Sequence, residues 1–217
     1  GTAWTNDDRY LYTYDSNNNN TQYLYQTWSG TAWTDNSRST YTYDSNNNRI
    51  ESLYETFSGM VWVNNSKYIS TYDANNNLTQ ETYQVWVVAT WVNDSRSTYT
   101  YDANDNQIIY LSETWDITNN VWKNSNQYLI TYDANDNPTE YLFQSWDTTN
   151  NVWKNDYKYS YTYNSNNKLI DGLYQSWDIS VWKNESRFTY VYNANNDPIE
   201  YLYQTWNGSI WVNVDMY

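Results

Sequence analysis

Rings set beside amides and carboxylates are the feature of this chain with the clearest chemistry. Indole and phenol faces stack on pyranose rings, while Asn, Gln and Asp exchange hydrogen bonds with hydroxyls. The chain carries 14 Trp and 27 Tyr in 217 residues, and Tyr23, Tyr25, Tyr54, Tyr174 and Tyr203 are the phenols expected to stay open to a glycan. The same rings also read as the chain's own packing material, since it has little else to bury. A second pattern, Asp-x-Asn-x-Asn at Asp102, Asn104 and Asn106, matches the opening ligands of a calcium loop. It lacks the turn Gly and the distal bidentate Glu, so it describes equally well a hairpin turn bonded to itself. Glu51 with Glu55, or Glu140 and Glu200, have the residue types of an acid and base pair, yet equivalent places hold Gln22, Gln26, Gln80 and Gln84. A catalytic pair has no use for diluted copies.

What is missing narrows the chemistry further. There is no His and no Cys, which removes imidazole bases, thiolate nucleophiles, thiolate zinc sites and disulfides. No enzymatic activity is expected, and no cofactor apart from the calcium alternative. A formal charge of −14 repels nucleic acid and anionic membrane surfaces. No apolar run approaches the length of a membrane span, so neither nucleic-acid binding nor membrane insertion is expected.

These residues recur. The unit is seen in Trp33 to Phe57: a Trp, an Asn or Asp two residues on, usually Lys or Arg at five, Tyr-Asp, an Asn-rich turn, and a second run ending in an aromatic. Its Tyr-Asp or Tyr-Asn marker falls at Tyr14, Tyr43, Tyr72, Tyr101, Tyr132, Tyr163 and Tyr192. That makes seven repeats of about 29 to 31 residues, near 4–32, 33–61, 62–90, 91–121, 122–152, 153–181 and 182–210, with a partial eighth at 211–217. Such periodicity marks an array whose units hold one another up. The chain starts on a repeat edge and stops in a first strand, and so reads as a segment of something longer.

Tyr- and Thr-rich alternation between turns spaced 14 or 15 residues apart predicts strands throughout. The Asn-rich turns place Asn18, Asn47, Asn76, Asp105, Asp136, Asn167 and Asn196 in the left-handed region of a three-residue loop with a bulge. The other turns lie between Trp28 and Trp33, Phe57 and Trp62, Trp86 and Trp91, Trp115 and Trp122, Trp146 and Trp153, Trp177 and Trp182, and Trp206 and Trp211, pairs expected to clamp each hairpin across the strands. Two pairs stand two residues further apart, an insertion that preserves side-chain parity.

Parity then predicts the faces. One carries Trp33, Asp35, Ser37, Ser39, Tyr41 and Tyr43 with Glu51, Leu53, Glu55 and Phe57, and is expected to be buried. The other carries Thr34, Asn36, Arg38, Thr40 and Thr42 with Ile50, Ser52, Tyr54 and Thr56, and is expected to be wet, Arg38 lying over Tyr54. The cationic series Arg9, Arg38, Lys67, Arg96, Lys158 and Arg187 is interrupted at Gln127. Gly172 replaces a Tyr and marks a thin spot. Pro138 and Pro198 fall just after turns, where an amide donor is dispensable.

The fold expected is all-β: tandem two-stranded hairpin repeats in an extended antiparallel meander, superhelical (solenoid) or closed and barrel-like. A seven-bladed propeller needs four strands per blade, and this unit supplies two. The marker at Tyr99 to Asn106, Tyr-Thr-Tyr-Asp-Ala-Asn-Asp-Asn, resembles the YD repeats of Rhs and teneurin-type proteins. The whole unit resembles repeats of large secreted bacterial surface proteins exported by type IX secretion, although Asn or Asp stands where the YD motif has Gly. The resemblance implies an extracellular or cell-surface hairpin array. Two functions follow as expectations: a structural stalk, filament or surface-layer segment that meets copies of itself through strand edges or other surface proteins, and a carbohydrate-binding adhesin.

Overall fold

The computed structural model describes residues 7–216. Trp4, which opens the first repeat, and Tyr217 lie outside the described residues. Fifteen strands follow one another with no helix among the described residues: β1 (Asp8–Tyr14), β2 (Asn20–Trp28), β3 (Trp33–Tyr43), β4 (Arg49–Ser58), β5 (Val61–Tyr72), β6 (Leu78–Val87), β7 (Thr90–Tyr101), β8 (Gln107–Asp116), β9 (Val121–Tyr132), β10 (Pro138–Asp147), β11 (Val152–Tyr163), β12 (Leu169–Asp178), β13 (Val181–Tyr192), β14 (Pro198–Trp206) and β15 (Trp211–Met216). They hydrogen-bond in chain order, β1 to β15, each strand to its sequence neighbours. The order is open, and the barrel-like closure entertained from the sequence is not formed.

The turn chemistry acts as the sequence predicts. Asn18, Asn47, Asn76, Asp105, Asp136, Asn167 and Asn196 all have φ between 57° and 68°, the region that Asn and Asp tolerate through their short polar side chains. In the first turn the Asp15 carboxylate accepts from the amides of Asn17 (2.9 Å) and Asn19 (2.8 Å), and the Asp15 amide donates to the Asn19 carbonyl at 3.0 Å. Pro138 and Pro198 open β10 and β14, positions that need no donor.

By contact density the chain divides into two units, Gly1–Thr98 with Glu113–Lys123 and Tyr99–Ser112 with Asn124–Tyr217. In the first, Trp28 lies opposite Trp33 and Gln26 opposite Asp35, but Tyr25 opposes Ser37, so Asn36 is an extra residue without a partner. Asn65 and Asp94 repeat this bulge. A second kind sits beside the Asn-rich turns: Tyr43 opposes Arg49 and Thr42 opposes Glu51, leaving Ile50 extra, as Thr21 and Thr79 are left. The second unit has both kinds, at Asp156, Glu185 and Val214 and at Thr139, Ile170 and Ile199.

A one-residue bulge reverses the facing of everything after it along its strand. The predicted sorting therefore holds for Trp33, Asp35, Glu51, Leu53, Glu55 and Phe57 and fails beyond Asn36. Arg38, Thr40 and Thr42 join the tryptophan face, opposite Glu55, Leu53 and Glu51. Ser37, Ser39 and Tyr41 turn to the other face, opposite Thr56, Tyr54 and Ser52. Indoles and phenols thus occupy opposite surfaces, where parity alone placed Tyr41 and Tyr43 with Trp33.

Nor is either face dry. Among the described residues Ile130, 8% exposed, is the one buried apolar side chain, while the buried polar ones are Ser37, Glu55, Ser70, Glu113 and Gln204. A covered Trp and Leu face with a wet opposite face is not what forms. The stability such repeats need comes from neighbour-to-neighbour terms rather than a central core.

Candidate functional site

On the tryptophan face every hairpin ends in an aromatic pair. In the first unit the ring centroids of Trp28–Trp33, Phe57–Trp62, Trp86–Trp91 and Trp115–Trp122 lie 4.9–5.2 Å apart at 60–66°. In the second, Trp146–Trp153, Trp177–Trp182 and Trp206–Trp211 lie 4.9–5.1 Å apart at 64–71°. Edge-on pairs of this kind contribute about 0.5–1.5 kcal/mol beyond their buried area, so the expected clamp is formed at each.

Behind each pair runs a polar relay. Arg9 Nε donates to Gln26 Oε1 (2.6 Å), and Gln26 Nε2 donates to Asp35 Oδ1 (2.5 Å). Arg187, Gln204 and Asn213 do the same at 2.6 and 2.7 Å. Where the middle residue is Glu the first link becomes an ion pair: Arg38 holds Glu55 at 2.5 and 3.0 Å, and Arg96 holds Glu113 at 2.5 Å. Lys67 and Lys158 turn instead to Glu51 (3.7 Å) and Glu140 (2.8 Å), leaving Gln84 and Gln175 to donate to Asn93 (2.7 Å) and Asn184 (2.9 Å).

The cations also cover rings. Arg9, Arg38, Lys67 and Arg96 lie 4.4–4.7 Å from the centroids of Trp33, Trp62, Trp91 and Trp122 in the first unit. Lys158 and Arg187 lie 5.0 and 4.7 Å from those of Trp182 and Trp211 in the second. The bulge carries Arg38 away from Tyr54, its expected partner, and delivers it to Trp62. At Gln127 the cation is absent, and that amide donates to Gln144 Oε1 at 2.5 Å.

The five phenols proposed for glycans all lie on the opposite face. Tyr25 stacks on Tyr10 at 5.2 Å, and Tyr23 lies 5.7 Å from Tyr10; Tyr54, 38% exposed, faces Ser39 and Ser66. Tyr174 stacks on Tyr159 at 4.9 Å and joins Tyr203 in a shallow cleft of about 400 Å³ floored by Gly172. The Phe188 ring lies over that glycine, so close that a Cβ there would fall 2.2 Å from its Cζ. Burial raises the pKa values of Tyr23 and Tyr174 above that of free tyrosine.

The residues of the calcium reading sit in a turn whose oxygens are already engaged. Asp102 Oδ1 accepts from the amides of Asn104 and Asn106, both at 2.9 Å, and the Asn106 amide foremost holds the carboxyl below the usual Asp value. The side-chain nitrogens of Asn104 and Asn106 donate to Asp136 at 2.9 and 2.7 Å. The trio thus offers donors as well as oxygens, and its left-handed neighbour in the next repeat accepts them. In the first unit Asn19 and Asn48 donate likewise to Asn47 and Asn76, both at 2.8 Å.

Two roles escaped the sequence reading. The Asn or Asp two residues after Trp33, Trp91, Trp153, Trp182 and Trp211 ends the polar relay, a role signalled by the recurrence of Trp-x-Asn. Five of the marker Tyr residues tie their repeat to the one before. In the first unit Tyr43 and Tyr72 donate to the carbonyls of Asn20 (2.8 Å) and Arg49 (3.1 Å). In the second, Tyr132, Tyr163 and Tyr192 reach Gln107, Pro138 and Leu169 at 2.9–3.0 Å. Asn20, Arg49, Pro138 and Leu169 each immediately precede a bulged residue, where the ladder is interrupted and a carbonyl needs another donor.

No family profile matches the chain, and no curated protein gives a significant match. Among solved structures it is similar to a protein of unknown function from Bacteroides fragilis (17% identity, 56% of this chain and 89% of that one, TM-score 0.45). It is similar also to TcdB2-TccC3 (13% identity, 94% and 13%, TM-score 0.40) and to a porin-like protein from Bacteroides uniformis (11% identity, 95% and 86%, TM-score 0.42). Likenesses at these scores carry no argument about function.

Proposed function

We propose that this chain is a non-catalytic structural repeat segment of an extracellular or cell-surface protein, its partners being copies of itself or other surface proteins. The observation that carries the reading is the phenol bond from the marker residues Tyr43, Tyr72, Tyr132, Tyr163 and Tyr192 to a main-chain carbonyl of the preceding repeat, as at Tyr43 to Asn20 and Tyr163 to Pro138. A chain whose units are bonded to their neighbours in this way, with no dry core among the described residues, gains stability by adding units and lends itself to building length. The likeness of its Tyr-Asp unit to YD repeats and to surface proteins of type IX secretion supports the location. Deleting one whole repeat, 153–181, is the test. The strand signal in circular dichroism should survive with a modestly lower urea midpoint, and surface protease should cleave the parent protein on intact cells. Collapse of the shortened chain, or saturable turnover of any substrate by the full one, would overturn the reading.

A second reading, carbohydrate binding, is supported by ring-lined clefts on both faces, that of Tyr174 with Tyr203 and those of Trp91 with Trp115 and Trp182 with Trp206. A glycan array without a saturable response would remove it.

A further inference from the structure

We infer that the tryptophan face, and not the tyrosine face, takes the saccharide, and that its ligand is an uncharged β-linked polysaccharide lying extended across the strands, one disaccharide to a repeat. This rests on the carbohydrate-binding reading and specifies its site and polymer.

The tryptophan face carries two clefts at equivalent places in the repeat. One, of about 310 Å³, lies between Trp91 and Trp115 in the first unit. The other, of about 520 Å³, lies between Trp182 and Trp206 in the second. Both are walled by a first-strand Trp and the next second-strand Trp, 24 residues on. A feature built twice belongs to the repeat rather than to a local irregularity. Lys67 and Lys158 lie over Trp91 and Trp182, whereas Trp115 and Trp206 have no cation over them among the described contacts.

Each cleft also contains an aimed donor. Asn93 and Asn184 line them, and in both the side-chain oxygen is occupied by Gln84 or Gln175. The amide is thereby fixed with its nitrogen uncommitted among the described residues, so a hydroxyl or ring oxygen beside the indole meets a donor whose orientation has already been set. The phenols have rotatable partners instead: Tyr54 and Tyr174 face Ser66 and Ser186 across the strands, hydroxyls that turn to suit any neighbour rather than being aimed, and Tyr174 spends one ring face on Tyr159.

Spacing and charge select the polymer. Within each unit the pairs recur every second strand, roughly 9.5 Å at the usual strand separation, close to the length of one disaccharide in an extended β-linked chain. The formal charge of −14 disfavours uronates and sulfated chains.

The test uses the full 217-residue chain with cello- and chito-oligosaccharides of two, four and six sugars, with polygalacturonate as the anionic comparison, read by calorimetry and Trp fluorescence. Affinity should rise with each added disaccharide, and polygalacturonate should not bind. Asn93→Asp with Asn184→Asp keeps the oxygen that accepts from Gln, as Asp35 does in its own repeat, and removes the donor. Each lost bond should weaken binding about fivefold, whereas Tyr174→Ser should leave it within about twofold, since no tryptophan-face donor is touched. Binding lost in Tyr174→Ser and kept in the Asp variants would refute the face assignment while leaving carbohydrate binding standing. No binding of any saccharide at millimolar concentration would remove both.

Discussion

Replacing Glu55 separates the polar relay from ordinary surface charge. Glu55 is 6% exposed and takes two bonds from Arg38, at 2.5 and 3.0 Å, while Arg38 rests 4.4 Å from the Trp62 centroid. In Glu55→Ala the guanidinium keeps its place on the ring and loses its acceptor. Removing one partner of a fully buried pair costs about 3–5 kcal/mol, and because the Arg38 side chain is still 27% exposed the expectation here is about 2–3 kcal/mol. Glu55→Gln behaves differently, because Gln204 occupies the same position and accepts from Arg187 at 2.6 Å. Its cost is expected below about 1 kcal/mol, the value of one neutral hydrogen bond. Urea titration followed by Trp fluorescence measures both, with Glu113→Ala against Arg96 as an independent copy of the experiment. In a cycle with Arg38→Ala, the double variant should lose less than the two single losses added together. A Glu55→Ala chain within about 0.5 kcal/mol of the parent, a spread typical of an exposed pair, or a Gln variant as damaged as the Ala one, would refute the relay.

Three further expectations follow. Asp15, Asp73 and Asp102 have their pKa values lowered foremost by the backbone amide four residues on; their contribution is therefore full above the unfolded Asp value near 4 and lost as pH falls through the lower folded one. Hydrogen exchange at acid pH should loosen those turns and spare the ones opened by Asn164 and Asn193, which accept the same bonds without titrating. Val88 and Ala89 hold φ of 47° and 62°, so Val88→Asn with Ala89→Gly, the preferred type I′ pair, should stabilise by about 0.5–1 kcal/mol in the same titration. Gly172→Ala should cost about 1–3 kcal/mol because Phe188 must move, and the loss should vanish in a Phe188→Ala background; equal losses in both would show that the ring is not the obstacle.

Much of the fold was legible. Asp or Asn at the head of each Asn-rich turn, and Asn or Asp three residues on, specify both the self-bonded turn and its left-handed residue, because that chemistry is local. Trp pairs flanking even-length turns announce their own cross-strand contact for the same reason. The glycine at 172 was recognised as a gap, but the ring that fills it comes from Phe188 on the next strand, and nothing near position 172 points there.

The order of the strands, their antiparallel pairing and the clamps at the hairpin ends were determined by the amino-acid sequence itself, since each depends on residues within one turn of one another. Which side of the sheet a ring occupies was decided only in three dimensions. Trp33 and Tyr41 stand an even number of residues apart, and the pattern between them alternates without a break. Asn36 becomes a bulge only because Gln26 and Tyr25, on the neighbouring strand, pair opposite Asp35 and Ser37. That choice turns the cations beneath the indoles and the phenols to the opposite face, because register is a property of two strands together and neither carries it alone.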